Sequence, residues 1–429
     1  MSESLIKWDD FLQIASLSDV GMRRSNNQDN LCVSMASSME RWSRKGHLFV
    51  VADGMGAHAA GELASKLAID HIPHLYAKYN DDMPAVAMQK AVQDANAAIH
   101  QRGQANEEFH NMGTTCSVLN ILPQGAVVAH IGDSRVYRYS QNKIEQLTFD
   151  HSLVWEMKAA GQLTDDEEKQ GKVPKNVITR SLGPYAECKV DLEGPFPVQA
   201  GDTFLLCSDG LTAVIEDSEI GSILGNMPPK EATKVMVDLA NLRGGPDNIT
   251  VIIVKITHSQ LATTQAGTSA IDQSKNNSVA APVWIWIALA VSFLLAILLF
   301  SLVSKWLAIA PAVAALVFLI WGIIKSFSGG TAPPIPSKPL GKGPYMRMAC
   351  SSGEQFSGQL AKMIDKIQKG AQDKKWAVDW PALERLVKSA EAATAKNDHS
   401  GSIRFYGRAV SFLMDQLRNQ NAGDSSVEL

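Results

Sequence analysis

The 429-residue sequence has few cysteines and no strong excess of charge of either sign. Its five cysteines are scattered, and none lies in a C-x-x-C pair, so the sequence predicts neither a zinc site nor a disulfide framework. The 40 basic and 44 acidic residues leave a net charge of −4, which gives no electrostatic argument for nucleic-acid binding. We therefore interpret the cysteines as free thiols and expect no nucleic-acid partner.

Two catalytic motifs and a secretory leader are also missing. The sequence contains no G-x-x-x-x-G-K-[ST] loop and no G-x-S-x-G elbow, which excludes the commonest phosphate-cradling and serine-nucleophile motifs. Residues 1–10 are polar and acidic, without an apolar core of signal-peptide length. We therefore expect the N-terminal part of the chain to stay in the cytoplasm.

Residues 12–256 alternate short apolar runs with two helical patterns. The apolar runs are rich in β-branched residues and bounded by Gly, Asp or Pro, and strands are predicted at 47–52, 114–122, 126–131, 203–207 and 249–256. Apolar residues at helical spacing predict helices over 61–79 and 85–102. Because many connections are too short for a crossover helix, the pattern favours a mainly antiparallel α+β domain.

A long apolar segment follows this domain after a polar linker at 257–281. Residues 282–324 contain one charged residue, Lys305. A single helix of that length would extend about 65 Å, roughly twice the thickness of a bilayer core. Two transmembrane helices, 282–304 and 306–324, fit the length better, and a buried core hairpin is the alternative.

Positive charges predict the orientation of this transmembrane hairpin. Basic residues flank its outer ends, whereas the turn between the helices holds only Lys305. The positive-inside rule then places both ends in the cytoplasm. We predict an integral protein of the cytoplasmic membrane, in contact with the lipid bilayer, whose N-terminal domain and C-terminal region face the cytoplasm.

A Pro- and Gly-rich linker at 329–346 leads to a helical C-terminal region. Residues 355–419 contain three amphipathic stretches, which predict a small all-α unit. The region faintly resembles a single helical-repeat unit of the kind used for protein contacts. We therefore interpret 355–419 as a helical cytoplasmic domain that binds a protein partner.

Five aspartates of the N-terminal domain stand beside glycines or next to apolar runs: Asp29, Asp53, Asp133, Asp209 and Asp247. A carboxylate at the end of a buried strand is costly unless a positive group compensates its charge. A single Asp-Gly pair is usually only a turn, but several aspartates at sheet edges indicate a cation site. Because no His/Cys ligand set accompanies them, the hard cations Mg²⁺ and Mn²⁺ are favoured.

Two basic residues near these aspartates suggest what such a site does. Two divalent ions would lower the pKa of a shared water and bind a phosphoryl oxygen. Arg24, five residues before Asp29, offers a planar fork for the remaining phosphate oxygens. His58, five residues after Asp53, is suited to protonate a leaving alkoxide. These residues together indicate a hydrolase that uses metal-activated water.

Eight segments carry a resemblance to one family. They are, in chain order, GMRRSNNQDN, VVADGMGAHAAGELAS, MGTTCSV, HIGDSRVYRY, LTFDHSLV, ITRSLG, LLCSDGL and DNITV. Through them residues 12–256 resemble the catalytic domain of the metal-dependent protein phosphatase 2C family, bacterial type. The resemblance implies two antiparallel β-sheets in a sandwich flanked by helices, with two Mn²⁺ or Mg²⁺ ions between the sheets. It implies one-step hydrolysis of phosphoserine and phosphothreonine on proteins.

The resemblance also implies a role for each acidic residue. Asp53 would bridge the two metals, and the Gly54 carbonyl would reach one of them directly or through water. Asp133 matches the position of a third, weaker metal. The ligands of the other main metal would be Asp29, Asp209 and Asp247.

Further roles follow from the same resemblance. Arg24 matches the phosphate-binding arginine, and His58 matches the general acid. The segment 150–183 would include a mobile flap that affects substrate choice. The sequence departs from the common pattern at Ala57, where Gly is usual, and at Gln28, where many relatives have Glu.

Two classes of function remain open at this point. An active phosphatase would act on phosphorylated proteins, including serine/threonine kinases and their substrates, and oppose kinase signalling at the membrane. A catalytically silent sensor or scaffold would bind phosphoproteins and recruit partners through its helical region, although the intact metal and phosphate residues disfavour it. A phosphatase of a partner-switching pathway would differ from the first class only in its substrate.

Overall fold

The computed structural model describes residues 8–56, 59–80, 82–174, 177–263, 339–350, 353–373 and 378–424, together with seven single positions between 290 and 319. The chain divides into two units, of which the first comprises residues 1–263 and 338–429 and the second residues 264–337. The elements described below belong to the first unit.

Twelve strands of the described residues form two antiparallel sheets. They are β1 (Leu12–Asp19), β2 (Asp29–Ser34), β3 (His47–Met55), β4 (Gly113–Thr114), β5 (Cys116–Leu122), β6 (Gly125–Ile131), β7 (Arg135–Ser140), β8 (Lys143–Gln146), β9 (Asp191–Phe196), β10 (Thr203–Cys207), β11 (Ile249–Ile256) and β12 (Met346–Ala349). The first sheet has the order β1-β11-β10-β7-β8-β12. The second has the order β2-β3-β5-β6-β9, and β4 pairs with β3.

The two sheets pack face to face through large apolar side chains. Phe49 and Val51 of β3 share a buried cluster with Phe204 of β10 and Ile252 of β11. Strands such as β11 are buried along almost their whole length, which explains their continuous run of β-branched residues. The predicted sandwich of two antiparallel sheets with helices is thereby confirmed.

Eleven α-helices are described. They are α1 (Met39–Lys45), α2 (Ala60–Lys78), α3 (Pro84–Gln104), α4 (Leu153–Ala159), α5 (Asp165–Lys169), α6 (Asp209–Thr212), α7 (Asp217–Asn226), α8 (Pro229–Leu242), α9 (Gly353–Asp373), α10 (Trp380–Ala395) and α11 (His399–Asp424). Helices α2 and α3 cover the second sheet, where small residues such as Ala64 and Ala91 pack against Val50 and Val118. Helices α7 and α8 cover the first sheet through residues such as Ile223.

The C-terminal residues pack onto the domain that precedes them. Strand β12 pairs antiparallel with β8 and so becomes the sixth strand of the first sheet. Phe356 of α9 and Leu413 of α11 lie in the same buried cluster as Met236 of α8. Residues 346–349 and the last three helices therefore extend the hydrophobic core on the side of the first sheet.

The predicted transmembrane hairpin finds no support in this fold. The spans 282–304 and 306–324 lie outside the described residues, apart from the seven single positions. Among the helices that the structure does describe, none is long and apolar enough to cross a membrane. A span needs about 20 consecutive apolar residues, whereas long helices such as α9 expose charged residues along one face. The predicted integral-membrane localisation, with its bilayer contact, is therefore wrong.

Candidate active site

The aspartates that the sequence singles out lie at the ends of strands from both sheets. Asp29 begins β2 and pairs in register with Asp53 near the end of β3. Asp209 follows β10 as the first residue of α6, and Asp247 comes two residues before β11. Asp133 lies between β6 and β7. Strand order thus gathers residues that are up to 218 positions apart (Asp29 to Asp247) at one edge of the sandwich.

The electrostatics show that these carboxyl groups are close neighbours. Burial raises the pKa of Asp53 well above its usual range, and repulsion from the other four aspartates raises it further. Burial likewise raises the pKa of Asp29 to about 7 and that of Asp133 to about 8. The pKa of Asp209 is raised by burial and by repulsion from Asp247. Burial and mutual repulsion therefore make Asp29, Asp53, Asp133 and Asp209 harder to ionise, which favours a cation among them.

Unsatisfied oxygen atoms point to the same conclusion. The buried atoms Asp29 Oδ1, Asp133 Oδ1 and Asp209 Oδ1 have no hydrogen-bond partner among the described residues. A buried polar atom without a partner costs stability unless a ligand satisfies it. No three described Asp, Glu, His or Cys side chains already stand in the geometry of a metal site. The oxygen donors, their orphaned atoms and their mutual repulsion nevertheless fit divalent cations such as Mn²⁺ or Mg²⁺.

Glycine at position 54 lets two elements approach each other closely. A Cβ atom at Gly54 would lie 2.1 Å from the carbonyl oxygen of Gly61 at the start of α2. The amide of Gly54 donates to the carbonyl of Gln28 at 3.1 Å, and the amide of Asp53 donates to Thr115 Oγ1 at 2.9 Å. The backbone around Asp53 is therefore fixed from both sides.

Asn248 is a structural residue of the site that the sequence did not single out. Its side-chain amide donates to the carbonyls of Val20 at 2.8 Å and Asn26 at 3.0 Å. Its Oδ1 accepts from the amide of Gln28 at 2.8 Å. Asn248 thus holds the loop 20–28 against the segment of Asp247. Its place in the DNITV motif, directly after Asp247, was the feature of the sequence from which a role in the site could have been predicted.

Ser208 is the second such residue. Its hydroxyl donates to Asp29 Oδ2 at 2.7 Å and accepts from the amide of Thr250 at 2.9 Å. This bond orients one oxygen of Asp29 and leaves the other, orphaned oxygen for a ligand. Ser208 precedes Asp209 in the LLCSDGL motif, so its position was visible but its role was not.

Of the two residues predicted to act on the phosphate, the structure describes Arg24 but not His58. Arg24 lies at the rim of the site, with 51% of its side chain exposed, and its Nη2 is 2.7 Å from Asp247 Oδ2. His58, with its neighbour Ala57, lies outside the described residues. Arg24 is thus brought to the aspartates, within reach of solvent and of a substrate.

One cavity is lined both by two of the aspartates and by residues of the predicted flap. It has a volume of about 230 Å³, and its lining includes Asp133, Asp209, Ser152 and Trp155. The indole of Trp155 lies under the guanidinium of Arg135, 5.5 Å from the ring centre. Residues at the start of the segment 150–183 therefore line the same cavity as the candidate metal ligands Asp133 and Asp209.

Three comparisons with known proteins agree with this geometry. The family profile described as Protein phosphatase 2C matches residues 23–236. Protein phosphatase PhpP of Streptococcus pneumoniae is 39% identical over 251 residues, which are 57% of this chain and 98% of that protein. The serine/threonine phosphatase stp of Listeria innocua is 34% identical over 242 residues, 55% of this chain and 93% of that protein.

Solved structures give the same result. The serine/threonine phosphatase PstP/Ppp of Mycobacterium tuberculosis has a TM-score of 0.50 and 33% identity, over 58% of this chain and 100% of that one. Stp1 of Staphylococcus aureus has a TM-score of 0.50 and 29% identity, over 58% and 96%. Proteins of this family use manganese or magnesium ions and act on phosphorylated proteins. The chain therefore belongs to the protein phosphatase 2C family and is a serine/threonine phosphatase of the bacterial type.

Proposed function

We propose that this chain hydrolyses phosphoserine and phosphothreonine on proteins with two Mn²⁺ or Mg²⁺ ions held by its clustered aspartates. The observation that carries the proposal is the set of three buried, unsatisfied carboxylate oxygens on Asp29, Asp133 and Asp209. When bound, the ions supply an activated water and neutralise charge on the phosphoryl group. Hard oxygen donors on rigid strand ends suit that task.

Each aspartate has a distinct part in this proposal. Asp53, whose pKa is raised by burial and by repulsion from the other four aspartates, would help to hold the ions, and the carbonyl of Gly54 would offer them a further oxygen. Asp133 has a buried, unpartnered oxygen and lines the cavity that it shares with residues of 150–183, which would suit a third, weaker metal site. The remaining ligands are Asp29, Asp209 and Asp247.

The basic residues act on the substrate. Arg24 is exposed at the rim beside Asp247, so its planar guanidinium can bind two phosphate oxygens at once. His58 protonates the leaving serine or threonine oxygen, a role that rests on its position in the motif alone. The residues of 150–183 that line the cavity of about 230 Å³ contact the peptide around the phosphorylated residue.

The substrates follow from the family at the level of class. Bacterial serine/threonine phosphatases act on phosphorylated proteins and are paired with serine/threonine kinases. We infer that this chain opposes such a kinase. Four assignments along the chain stay predictions. They are the bounds of the catalytic domain at 12–256, the polar linker at 257–281, the Pro/Gly linker at 329–346 and a partner-binding role for the helical region 355–419. A catalytically silent scaffold would instead bind phosphoproteins without hydrolysing them.

Hydrolysis by matched variants of the full chain tests this proposal. We would measure phosphate release from a phosphothreonine peptide with Mn²⁺ and with a chelator. Asp209→Asn should lower the rate at least about 100-fold, because the neutral amide cannot replace a metal-binding carboxylate. Asp70→Asn makes the same chemical change on the exposed face of α2 and should keep full activity. A folded wild-type chain that binds Mn²⁺ and the phosphopeptide without releasing phosphate would favour the scaffold.

A further inference from the structure

The last helix reaches the loop that carries Arg24. Arg418 of α11 places its Nη2 2.8 Å from Asp19 Oδ2 and its Nη1 2.9 Å from Asp238 Oδ1. Asp19 is the last residue of β1, and the side chain of Asp238, on α8, is fully buried. The guanidinium therefore forms two charge-assisted bonds that join the C-terminal helix to the catalytic sandwich.

Asp19 also contacts the turn that follows β1. Its other oxygen, Oδ1, accepts from the amide of Gly21 and from the side-chain amide of Asn241, both at 2.9 Å. Gly21 has a φ of +80°, and a Cβ atom there would lie 2.1 Å from the carbonyl oxygen of Asp247. The turn after β1 is therefore pressed against the backbone of a proposed metal ligand, in a conformation that requires glycine.

The same turn leads directly to the proposed phosphate-binding residue. The amide of Met22 donates to the carbonyl of Gly245 at 2.9 Å, and Arg24 follows two residues later. Arg24 then meets Asp247 at 2.7 Å. An ion pair thus joins Arg418 to Asp19, a hydrogen bond joins Asp19 to Gly21, and the backbone then runs from Gly21 to Arg24.

We propose that Arg418 is a positioning residue that orders the loop 20–24 and so sets the place of Arg24. The C-terminal helix then belongs to the working phosphatase, although the family profile matches only residues 23–236. The inference rests on the proposed role of Arg24 in binding phosphate. Asp238 keeps a second partner, Lys234 at 3.0 Å, so removal of Arg418 does not leave that carboxylate uncompensated.

The chain offers a matched control on the same helix. Arg408 of α11 also pairs with an acidic residue of α8, Glu231, at 2.7 Å, and no described contact joins it to Asp19. Arg418→Met and Arg408→Met therefore remove the same charge from the same helix interface. Arg418→Lys keeps the charge but cannot bond both carboxylates through a planar fork, so it should have an intermediate effect.

Kinetics of the full chain with Mn²⁺ give the first readout. Arg418→Met should raise the KM for a phosphothreonine peptide and the inhibition constant of inorganic phosphate by about fivefold, with kcat changed less than about twofold. Arg408→Met should leave KM, the inhibition constant of phosphate and kcat within about twofold of the wild-type values. In an Arg24→Ala background, Arg418→Met should add nothing, because its effect passes through Arg24. An equal rise of KM in both arginine variants, or additivity with Arg24→Ala, would overturn the proposal.

Hydrogen–deuterium exchange supplies a readout that needs no activity. Amides of residues 19–26 should exchange faster in Arg418→Met than in wild type or Arg408→Met, while strands such as β11 keep their protection. Unchanged exchange at 19–26 would show that Arg418 does not order the loop. If the wild-type chain hydrolyses nothing, the proposed function fails, and exchange alone still decides whether Arg418 holds the loop.

Discussion

Asp29 and Asp53 lie directly opposite each other on the antiparallel strands β2 and β3. Side chains at such paired positions project to the same face of a sheet and stand close together, and two like charges there are unfavourable. Burial and repulsion raise the pKa of both carboxyl groups, that of Asp29 to about 7. In the function proposed above, a cation bound by both groups offsets this cost.

The first prediction concerns the stability cost of this arrangement. In the presence of a chelator, Asp53→Asn should raise the thermal unfolding midpoint of the full chain by about 2–4 °C, because it removes a buried carboxyl group that must either carry a repelled charge or take up a proton on folding. Excess Mn²⁺ should reverse the order, since it stabilises only a chain that binds it. Differential scanning fluorimetry in both buffers measures this. A lower midpoint for Asp53→Asn in chelator would contradict the prediction, and the exposed Asp70→Asn should shift neither value.

The second prediction concerns pH. His47 is fully buried between Trp8 and Trp42, and burial lowers its pKa to about 3. The unfolded chain binds this proton with a pKa near 6.5, so stability is complete above that value and falls as pH decreases toward 3. Because His47 stays neutral in the folded chain, its contribution should make the free energy of unfolding about 1.4 kcal/mol lower at pH 5.5 than at pH 7.5.

A variant isolates the part of this pH dependence that belongs to His47. Gln at position 47 can still accept the hydrogen bond that the amide of Ala36 donates to Nδ1 at 3.1 Å, but it does not titrate. His47→Gln should therefore lose less stability than wild type between pH 7.5 and 5.5 in urea unfolding. Because His130 is buried with a pKa of about 3 in both chains, it cancels in the comparison. Equal losses would refute the assignment.

The third prediction concerns the close approach at Gly54. Gly54→Ala puts a methyl group 2.1 Å from a backbone carbonyl, so β3 and the start of α2 must move apart. We expect at least about a tenfold loss of kcat/KM and a lower unfolding midpoint. Gly358→Ala on α9 is the control, because its Cβ meets nothing within 4 Å, and it should be neutral or stabilising. Full activity in Gly54→Ala would argue against a fixed backbone there.

The fourth prediction concerns the cavity beside the flap. Trp155 lines it and contacts both Phe149 and Arg135. Trp155→Ala should raise the KM for a phosphothreonine peptide about threefold or more and leave that for p-nitrophenyl phosphate nearly unchanged, since only the peptide extends over this wall. Trp155→Phe retains an aromatic ring, so it should raise the KM for the peptide less than Trp155→Ala does. Parallel changes for both substrates would place the effect at the metal centre instead.

Local sequence pattern predicted much of this fold. The strand predicted at 249–256 coincides with β11, and the helices predicted at 61–79 and 85–102 fall within two residues of α2 and α3. Those elements combine strong periodicity with burial. Strand β12 was not predicted, because its sequence MRMA has no strand pattern of its own and it forms by pairing with β8. The predicted membrane localisation was wrong, because it was read from the apolar composition, length and flanking charges of residues 282–324 and from no contact in the fold.

The candidate site shows the same division. Short motifs around Asp29, Asp53 and Asp209 predicted that these carboxylates lie in one site, because each motif is a local segment that can be identified without knowledge of the packing. The contacts that organise the site are not local. Arg24 meets Asp247 across 223 positions, and Arg418 meets Asp19 across 399. Such pairs depend on how helices and strands pack, which no short segment of sequence specifies.

The most direct test titrates Mn²⁺ into the chelator-treated full chain while phosphate release from a phosphothreonine peptide is followed. The account predicts no hydrolysis without metal, a rate that rises and saturates as the aspartates fill, and loss of both binding and hydrolysis in Asp53→Asn. Hydrolysis that persists undiminished in excess chelator, or that survives Asp53→Asn at the wild-type rate, would contradict a metal-dependent phosphatase built on these aspartates.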